Sequence, residues 1–279
     1  MIVRPAALAA ALLLGGFGCA PSWAAPVDPP GVLTHGNLAR TYLLHLPPGP
    51  PAGLVINLHG AGQTGADQAA VTGYNAVADR YGFAVAYPDG IDLSWADGRG
   101  ASVPDRQGVD DVGFLAALID RLVRDFRVPA GRVFVTGMSA GAFMANRLAC
   151  QRADLVAAVV PVAGTLGSGV PCTPSRPVSV LQIHGTADPV VPYAGGPMVG
   201  RGGPSDVLAA PALAEQWRAI DQCPGPLIDA GAVGPTVRMV ATGCAQGTEV
   251  VFLRVDGGGH FWTPDASWAS GEFFAARGR

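Results

Sequence analysis

The chain has 279 residues, of which 49% are hydrophobic and only 14% are charged, and this balance excludes a disordered protein or a coiled coil. Its 39 Gly and 25 Pro follow no Gly-X-Y period, so they exclude collagen and indicate many tight turns around a large core. The net charge is −3, all 18 basic residues are Arg, and they form no cluster, so nucleic acid is not an expected partner.

The N-terminal residues have the pattern of a secretory signal peptide. Arg4 precedes the apolar run 6–17, and Ser22 and Ala24 supply small residues at the −3 and −1 positions of a cleavage site. The apolar run is shorter than the roughly 20 residues that a membrane-spanning helix needs, so no membrane span is expected.

We therefore predict a leader over residues 1–24, a single domain over residues 25–279, and a secreted or periplasmic location. An ordinary N-terminal helix is one alternative to the leader. Lipid attachment at Cys19 is another, although Gly16 stands where such sites usually carry Leu.

Short runs rich in Val, Ile and Leu alternate along the chain with longer segments of helical spacing. The predicted strands are Arg40–Leu46, Leu54–Leu58, Phe83–Tyr87, Val133–Thr136, Ala157–Val162, Val178–Ile183 and Val250–Val255. The predicted helices are Asp67–Arg80, Asp111–Phe126, Ala140–Gln151, Leu208–Asp221 and Ala266–Ala276. This alternation favours one α/β domain with a mostly parallel central sheet and helices on both faces. The stretch Gly195–Pro211 is rich in Gly and Pro, lacks periodicity and is predicted to be a surface loop.

The motif Gly137-Met138-Ser139-Ala140-Gly141 lies between a predicted strand and a predicted helix, which is the context of a nucleophile elbow. In such an elbow the serine occupies a strained turn, and glycines let neighbouring backbone pass closely. The N-terminus of the following helix favours developing negative charge. A Gly-rich turn without catalytic function is the alternative, and the strand–helix context favours Ser139 as a nucleophile.

A serine nucleophile needs a base and an orienting acid, which follow it in the order acid, then His in this kind of sheet. Asp188 comes just after the strand Val178–Ile183, and His260 lies in a Gly-rich loop after the strand Val250–Val255. The carboxyl ends of parallel strands meet at one edge of a sheet, so these side chains are expected beside Ser139. Read singly, Asp188 could form a turn and His260 could be an ordinary loop residue.

The remaining histidines fit the base less well. His35 and His45 precede the serine, and His184 suits a packing role at a strand end. His59 ends an inner strand, and the turn Gly60-Ala61-Gly62 after it resembles an oxyanion loop. We assign the backbone N–H groups of Ala61 and Ala140 to an oxyanion hole, while the sequence leaves the choice among Gly60, Ala61 and Gly62 open.

Four cysteines follow the predicted leader, and an even number in an exported chain indicates two disulfides. Four cysteines allow three pairings, and the shortest loops favour Cys150–Cys172 and Cys223–Cys244. No zinc-ligand spacing is present, so neither a metal nor a cofactor is expected.

Two further groups have alternative interpretations. Asp110 and Asp111 open a predicted helix and are interpreted as N-terminal capping residues, with a catalytic carboxylate as the minority alternative. Trp95 and Trp262 lie in predicted loops and are candidates for aromatic walls of a substrate pocket, with buried packing as the alternative.

Several stretches taken together resemble the polyhydroxybutyrate depolymerase and feruloyl esterase family of secreted α/β-hydrolases. They are LHGAGQT (58–64), YPDG (87–90), VDDVGFL (109–115), GMSAGAFMANRLAC (137–150), IHGTADPVVPY (183–193) and GGGHFW (257–262). The resemblance runs from about Arg40 to the C-terminus. It implies an α/β-hydrolase fold, a serine carboxylic-ester hydrolase activity, and Ser139, Asp188 and His260 as nucleophile, acid and base. It departs from the family at Thr263, which separates Trp262 from the following Pro.

The expected substrates are feruloyl or acetyl esters of polysaccharide, or hydroxyalkanoate oligomers. A non-catalytic secreted binding protein on a hydrolase scaffold and a serine peptidase of the same fold are the alternatives. The sequence does not distinguish the natural acyl group or the oligomeric state.

Overall fold

The computed structural model describes residues 1–2 and 30–278. Residues 3–24 of the predicted leader, with Cys19, and the cleavage site lie outside the described residues. In the described part of the chain, no helix combines the length and the apolar character that crossing a membrane requires.

Twelve strands are present in the described residues, and ten of them form one sheet. In chain order they are β1 (Pro30–His35), β2 (Leu38–His45), β3 (Gly53–Leu58), β4 (Phe83–Pro88), β5 (Val133–Met138), β6 (Ala158–Val162), β7 (Ser179–Gly185), β8 (Gly196–Gly200), β9 (Gly203–Val207), β10 (Ile228–Val233), β11 (Thr236–Ala241) and β12 (Val250–Val255). The order across the large sheet is β1-β2-β4-β3-β5-β6-β7-β12-β11-β10. The six strands from β4 to β12 are parallel, and two antiparallel strands flank them at each edge.

Helices cover both faces of this sheet, as predicted. They are α1 (Gly65–Thr72), α2 (Tyr74–Tyr81), α3 (Val103–Arg106), α4 (Asp111–Phe126), α5 (Ala140–Gln151), α6 (Ala210–Ile220) and α7 (Pro264–Ala275). Apolar residues of α4, α5 and α6 pack on one face, and those of α2 and α7 pack on the other. Strands β3 to β7 are buried along most of their length because helices cover both of their faces, which explains their nearly continuous hydrophobic sequence.

The structure corrects two element predictions. The predicted helix Asp67–Arg80 is two helices, because Gly73 adopts a left-handed conformation (φ 55°) that ends α1 and α2 begins at Tyr74. The predicted loop Gly195–Pro211 contains the antiparallel hairpin of β8 and β9. Its strands are rich in Gly and Pro, so they carry little of the alternating apolar pattern that predicts a strand.

Two disulfides tie helix ends to neighbouring segments, in the pairing that encloses the shortest loops. Cys150 at the end of α5 bonds to Cys172, and Cys223 after α6 bonds to Cys244. The paired residues are 22 and 21 positions apart. Loops of this length correspond to about 3 kcal/mol of stabilisation per disulfide.

Candidate active site

Ser139 lies at a sharp turn between β5 and α5. Its backbone has φ 53° and ψ −118°, a conformation that costs a non-glycine residue about 1–3 kcal/mol. A Cβ atom on Gly141 would lie 2.2 Å from the carbonyl oxygen of Leu58, and one on Gly137 would lie 2.7 Å from the backbone of Gly141. The two glycines therefore allow β5, α5 and β3 to approach closely enough to hold the strained turn.

His260 and Asp188 form a hydrogen-bonded pair. The Nδ1 atom of His260 lies 2.8 Å from Oδ2 of Asp188, while Oδ1 of Asp188 accepts hydrogen bonds from the backbone N–H groups of Val190 and Val191, each 2.8 Å long. Burial opposes ionisation of Asp188, but these hydrogen bonds outweigh it and lower the pKa of the carboxyl group. The ionised carboxylate favours the tautomer with a proton on Nδ1, which leaves Nε2 of His260 able to accept a proton.

Close backbone contact brings the loops of this pair together. A Cβ atom on Gly185, at the end of β7, would lie 2.2 Å from the carbonyl oxygen of Gly258. The N–H of Ala187 donates to that same oxygen at 2.9 Å. The loop after β7 and the loop after β12 are thus fixed against each other, because glycine leaves room for their backbones to touch.

Ser139 and His260 line one cavity of about 290 Å³, together with Ala61 and Ala140. Ala140 is the first residue of α5, where the backbone N–H groups have no partner within the helix. Among the described residues, the Ser139 hydroxyl makes no hydrogen bond. The contact between a serine hydroxyl and the imidazole of its base often tightens only when substrate binds.

The turn after β3 leaves one N–H group available to the cavity. The N–H of Gly60 donates to Oε1 of Gln63 at 3.1 Å, and the N–H of Gly62 donates to the carbonyl oxygen of Leu93 at 2.8 Å. In the part of the chain that is described, the N–H of Ala61 has no hydrogen-bond partner, and Ala61 lines the cavity. Ala61 is therefore the residue of this turn whose N–H can bind an oxyanion.

Trp95 supports this turn from within the core, which corrects its assignment to a pocket wall. It is fully buried, its Nε1 donates to the carbonyl oxygen of His59 at 2.9 Å, and the two rings lie 4.8 Å apart. The Nε2 atom of His59 accepts from the N–H of Gly90 at 2.9 Å, and Nδ1 lies 2.8 Å from the carbonyl oxygen of Gly60. His59 is thus a neutral positioning residue, and its burial lowers its pKa.

Trp262 does not wall the cavity either, so its assignment is also corrected. It is buried in the apolar cluster beneath α7, and its Nε1 donates to the Ser267 hydroxyl at 2.7 Å. The position of Trp262 in a predicted loop did not indicate this burial, because it results from contacts with residues of α7.

The other histidines lie outside the cavity lining. His35 pairs with Asp110 at 2.9 Å, and His45 pairs with Asp79 at 2.8 Å. His184 is buried, binds a backbone carbonyl at 3.0 Å and has a pKa lowered by its burial. None of the three competes with His260 for the place beside Ser139.

Asp110 has the capping role favoured from the sequence, whereas Asp111 forms a buried ion pair that the sequence did not predict. Asp110 caps α4 by accepting from the N–H of Gly113 at 2.8 Å. Asp111 is buried and accepts from Nη2 of Arg40 at 2.6 Å and from the N–H of Ala96 at 2.7 Å. Burial raises the pKa of Asp111 despite the nearby guanidinium. Within residues 30–278, no group of three or more His, Cys, Asp or Glu side chains could hold a metal ion.

Two arginines that sequence reasoning missed also line the cavity. Arg99 comes from the segment between β4 and α3, and Arg201 comes from the turn between β8 and β9. Because the hairpin itself was predicted as a loop, no sequence signal placed Arg201 beside Ser139.

Comparison with known proteins gives results consistent with this geometry. The family model for esterase PHB depolymerase matches residues 40–230. NocK of Nocardia uniformis subsp. tsuyamanensis is 33% identical over 243 residues, covering 80% of this chain and 70% of NocK. Feruloyl esterase C of Emericella nidulans is 31% identical over 259 residues, covering 85% of this chain and 84% of that protein. The acetyl xylan esterase from Aspergillus awamori superposes with a TM-score of 0.64 at 16% identity, covering 88% of this chain and 99% of that one, which supports the α/β-hydrolase fold.

Proposed function

Since this chain belongs to the esterase PHB depolymerase family, we propose that its carboxylic-ester hydrolase activity proceeds through an acyl-enzyme on Ser139. In this mechanism His260 is the general base, and Asp188 orients and stabilises it. The observation that carries the proposal is the 2.8 Å contact between His260 and Asp188, with His260 lining the same cavity as Ser139 at its strained turn.

The reaction has two steps. The Oγ atom of Ser139 attacks the ester carbonyl carbon and passes its proton to Nε2 of His260, and the carbonyl oxygen becomes an oxyanion. The N–H groups of Ala61 and Ala140 donate to that oxyanion, and each such donor lowers the barrier by about 3 kcal/mol. His260 then protonates the leaving alkoxide, after which water attacks the acyl-enzyme by the same sequence and releases the carboxylic acid.

The lining of the cavity favours a small aliphatic group beside the scissile bond. Its lining includes the aliphatic side chains of Ala101, Val190, Met198 and Val199, and Phe143 is the one phenyl ring among its described lining residues. The guanidinium of Arg99 lies 3.6 Å from the centre of that ring and covers it. This arrangement supports acetyl and hydroxyalkanoate esters over a feruloyl ring, which would need an open aromatic face.

The nucleophile is tested by replacing Ser139 with Ala and assaying hydrolysis of p-nitrophenyl butyrate. We expect the variant to lose nearly all activity, a decrease of about 10⁵–10⁶ in kcat, while its urea unfolding curve stays close to that of the wild type. Activity near the wild-type rate would falsify the assignment. Parallel assays of acetylated xylan, hydroxybutyrate oligomers and methyl ferulate then rank the substrate classes, and inactivity of the wild type on all of them would favour the non-catalytic alternative.

We also propose that the protein is exported and works in an oxidising compartment. Two disulfides support this, because such bonds persist outside the cytosol. The predicted leader over residues 1–24 makes the test direct: N-terminal sequencing of the mature protein should begin at Ala25, and a chain that retains residues 1–24 would contradict the proposed cleavage.

A further inference from the structure

Two arginine side chains line the cavity that contains Ser139. Two of its lining residues, Arg99 and Arg201, carry a positive charge, and no Asp or Glu is among its described lining residues. A charged side chain in such a cavity attracts ligands of the opposite sign if no other group in the protein compensates its charge. The two arginines have different surroundings, and the difference shows which of them is available to a ligand.

Arg99 is already balanced by a carboxylate. Its Nε and Nη2 atoms donate to the two oxygens of Asp97 at 3.0 and 2.7 Å. The same guanidinium stacks on Phe143, and its Nη1 lies 3.5 Å from the sulfur of Met198. Because Asp97 and Phe143 already occupy its N–H groups and its planar face, the Arg99 guanidinium lines the cavity without being available to a ligand.

Arg201 has no such partner. Among the described residues it forms no ion pair and no side-chain hydrogen bond, and it is exposed. Its Nη1 atom lies 3.5 Å from the position that a Cβ on Gly62 would take. The guanidinium therefore lies next to Gly62, the residue after Ala61, and lines the same cavity as Ser139.

The turn that carries Arg201 is anchored to the domain. A Cβ atom on Gly202 would lie 2.1 Å from the carbonyl oxygen of Ala101, so the two backbones are in close contact. Nη1 of Arg106 donates to the carbonyl oxygen of Gly202 at 2.7 Å. Behind the turn, Met198 is buried against Phe143 of α5. The hairpin thus presents Arg201 from a supported position at the cavity.

An apolar groove of about 440 Å³ shares three lining residues with the cavity. Val190, Met198 and Val199 line both spaces, and four prolines complete the groove: Pro189, Pro192, Pro197 and Pro204. Val190 and Val199 are exposed. Such a surface suits an aliphatic chain and offers few hydrogen bonds to a saccharide.

We propose that Arg201 binds the free carboxylate of an aliphatic ester substrate, of the kind that ends an oligomer of a short hydroxy acid. The guanidinium fork matches a carboxylate in geometry and charge, and its place next to Gly62 in the cavity of Ser139 suits an ester whose free carboxylate is close to the scissile carbonyl. The inference rests on the proposed function, since it assigns the substrate class of the same cavity. Arg201 is then a specificity-determining residue, and the apolar groove receives the aliphatic part of the chain.

The test compares the 3-hydroxybutyrate dimer as its free acid with the methyl ester of the same dimer. We expect the wild type to have a kcat/KM about two- to fivefold higher for the free acid, since an ion pair with an exposed guanidinium makes a modest contribution. Arg201→Gln should lower that preference by a similar factor, mainly through KM, and Arg201→Lys should retain part of it. Arg124→Gln is the matched control, because it removes one positive charge from an exposed position on α4, and it should keep the preference. Raising the salt concentration should weaken the preference of the wild type.

Equal kcat/KM for the free acid and the methyl ester, or an equal loss on both substrates in Arg201→Gln, overturns the inference. So does a preference for acetylated xylan bearing uronate groups without any preference within the dimer pair. These failures are distinct from a failure of the proposed function, because hydrolysis of p-nitrophenyl butyrate that depends on Ser139 would persist through all of them.

Discussion

The edge of the sheet and the hairpin above it contribute differently to the candidate site. At the sheet edge, Ser139, Asp188 and His260 are held by strand ends and by glycine contacts that bring backbones within touching distance. The β8–β9 hairpin supplies exposed side chains, Val199 and Arg201, from a Gly- and Pro-rich turn. In the proposed mechanism the sheet edge supplies the reacting groups, and we expect the hairpin to influence which ester binds. Substitutions at the edge should lower kcat or stability, whereas those on the hairpin should change KM and selectivity.

After the loss of the Ser139 hydroxyl, the largest effect is expected for Asp188→Asn. The amide can still accept from the N–H groups of Val190 and Val191, but it cannot stabilise a positive charge on His260 or favour its productive tautomer. We expect kcat on p-nitrophenyl butyrate to fall about 10³–10⁴-fold with KM little changed, since replacement of the acid in such triads has this effect. A fall below tenfold in a variant with a normal unfolding curve would show that Asp188 does not act through His260.

Gly141→Ala tests the close contact that holds the turn at Ser139. Its Cβ would lie 2.2 Å from the carbonyl oxygen of Leu58, so either β3 or α5 must move. We expect the free energy of unfolding to fall by about 1–3 kcal/mol, as for overpacking, with a parallel loss of kcat because the Ala61 and Ala140 donors shift. Gly49→Ala is the control, because a Cβ there meets nothing within 4 Å. Equal stability of the two variants would contradict the role of the contact.

His59 makes the sheet edge sensitive to acid. Burial lowers its pKa in the folded protein, whereas in the unfolded chain it titrates near its ordinary value of 6.5. Below pH 6.5 the His59 imidazole is therefore protonated more readily in the unfolded state than in the folded state. Its contribution to the free energy of unfolding is fully present above pH 6.5 and is lost as the pH falls toward the lowered pKa. His184 contributes in the same direction.

Urea unfolding between pH 7.5 and 5.5 measures this effect. The midpoint should fall with pH, and the fall should be smaller in His59→Gln, whose amide retains one donor and one acceptor without titrating in this range. An unchanged pH slope in that variant would assign the acid sensitivity to other groups.

The smallest effect is expected for Val199→Ser on the hairpin. Val199 is exposed and lines both the cavity and the apolar groove, so its loss removes apolar contact with a bound chain and leaves the triad untouched. We expect KM for p-nitrophenyl butyrate to rise by about two- to fivefold, with a smaller change for p-nitrophenyl acetate, as for the loss of one or two methyl contacts. A larger change in kcat than in KM would mean that the hairpin takes part in the chemistry.

The difference between the sheet edge and the hairpin also explains which parts of the site could be predicted from the sequence. The order of Ser139, Asp188 and His260 and their positions after strands could be predicted, because buried parallel strands have continuous apolar sequences and the loops that follow them meet at one edge. The structure brings His260 and Asp188 into contact. Ser139 and His260 line the same cavity. The antiparallel strands β1, β10 and β11 were missed because their partly exposed residues lack that apolar signal.

Burial of loop residues could not be predicted in the same way. Trp95 and Trp262 lie in irregular segments, and only tertiary contacts place them beneath His59 and α7. Arg201 shows the opposite error, since it was not expected at the cavity but lines it. The Gly-rich stretch that contains it has no periodicity, so the sequence did not indicate a hairpin that reaches the cavity. Side chains of this kind are positioned by contacts between distant parts of the chain, and no local pattern records them.

Covalent labelling tests directly whether Ser139 is the nucleophile, on which the proposed mechanism depends most. Diethyl p-nitrophenyl phosphate loses p-nitrophenolate when a reactive serine attacks its phosphorus, which leaves a stable diethylphosphoryl ester on the enzyme. Peptide mass spectrometry of the inactivated protein should find one such group, located on Ser139, with its occupancy matching the fraction of activity lost. Complete inactivation with Ser139 unmodified, or with the label on another residue, would contradict the account.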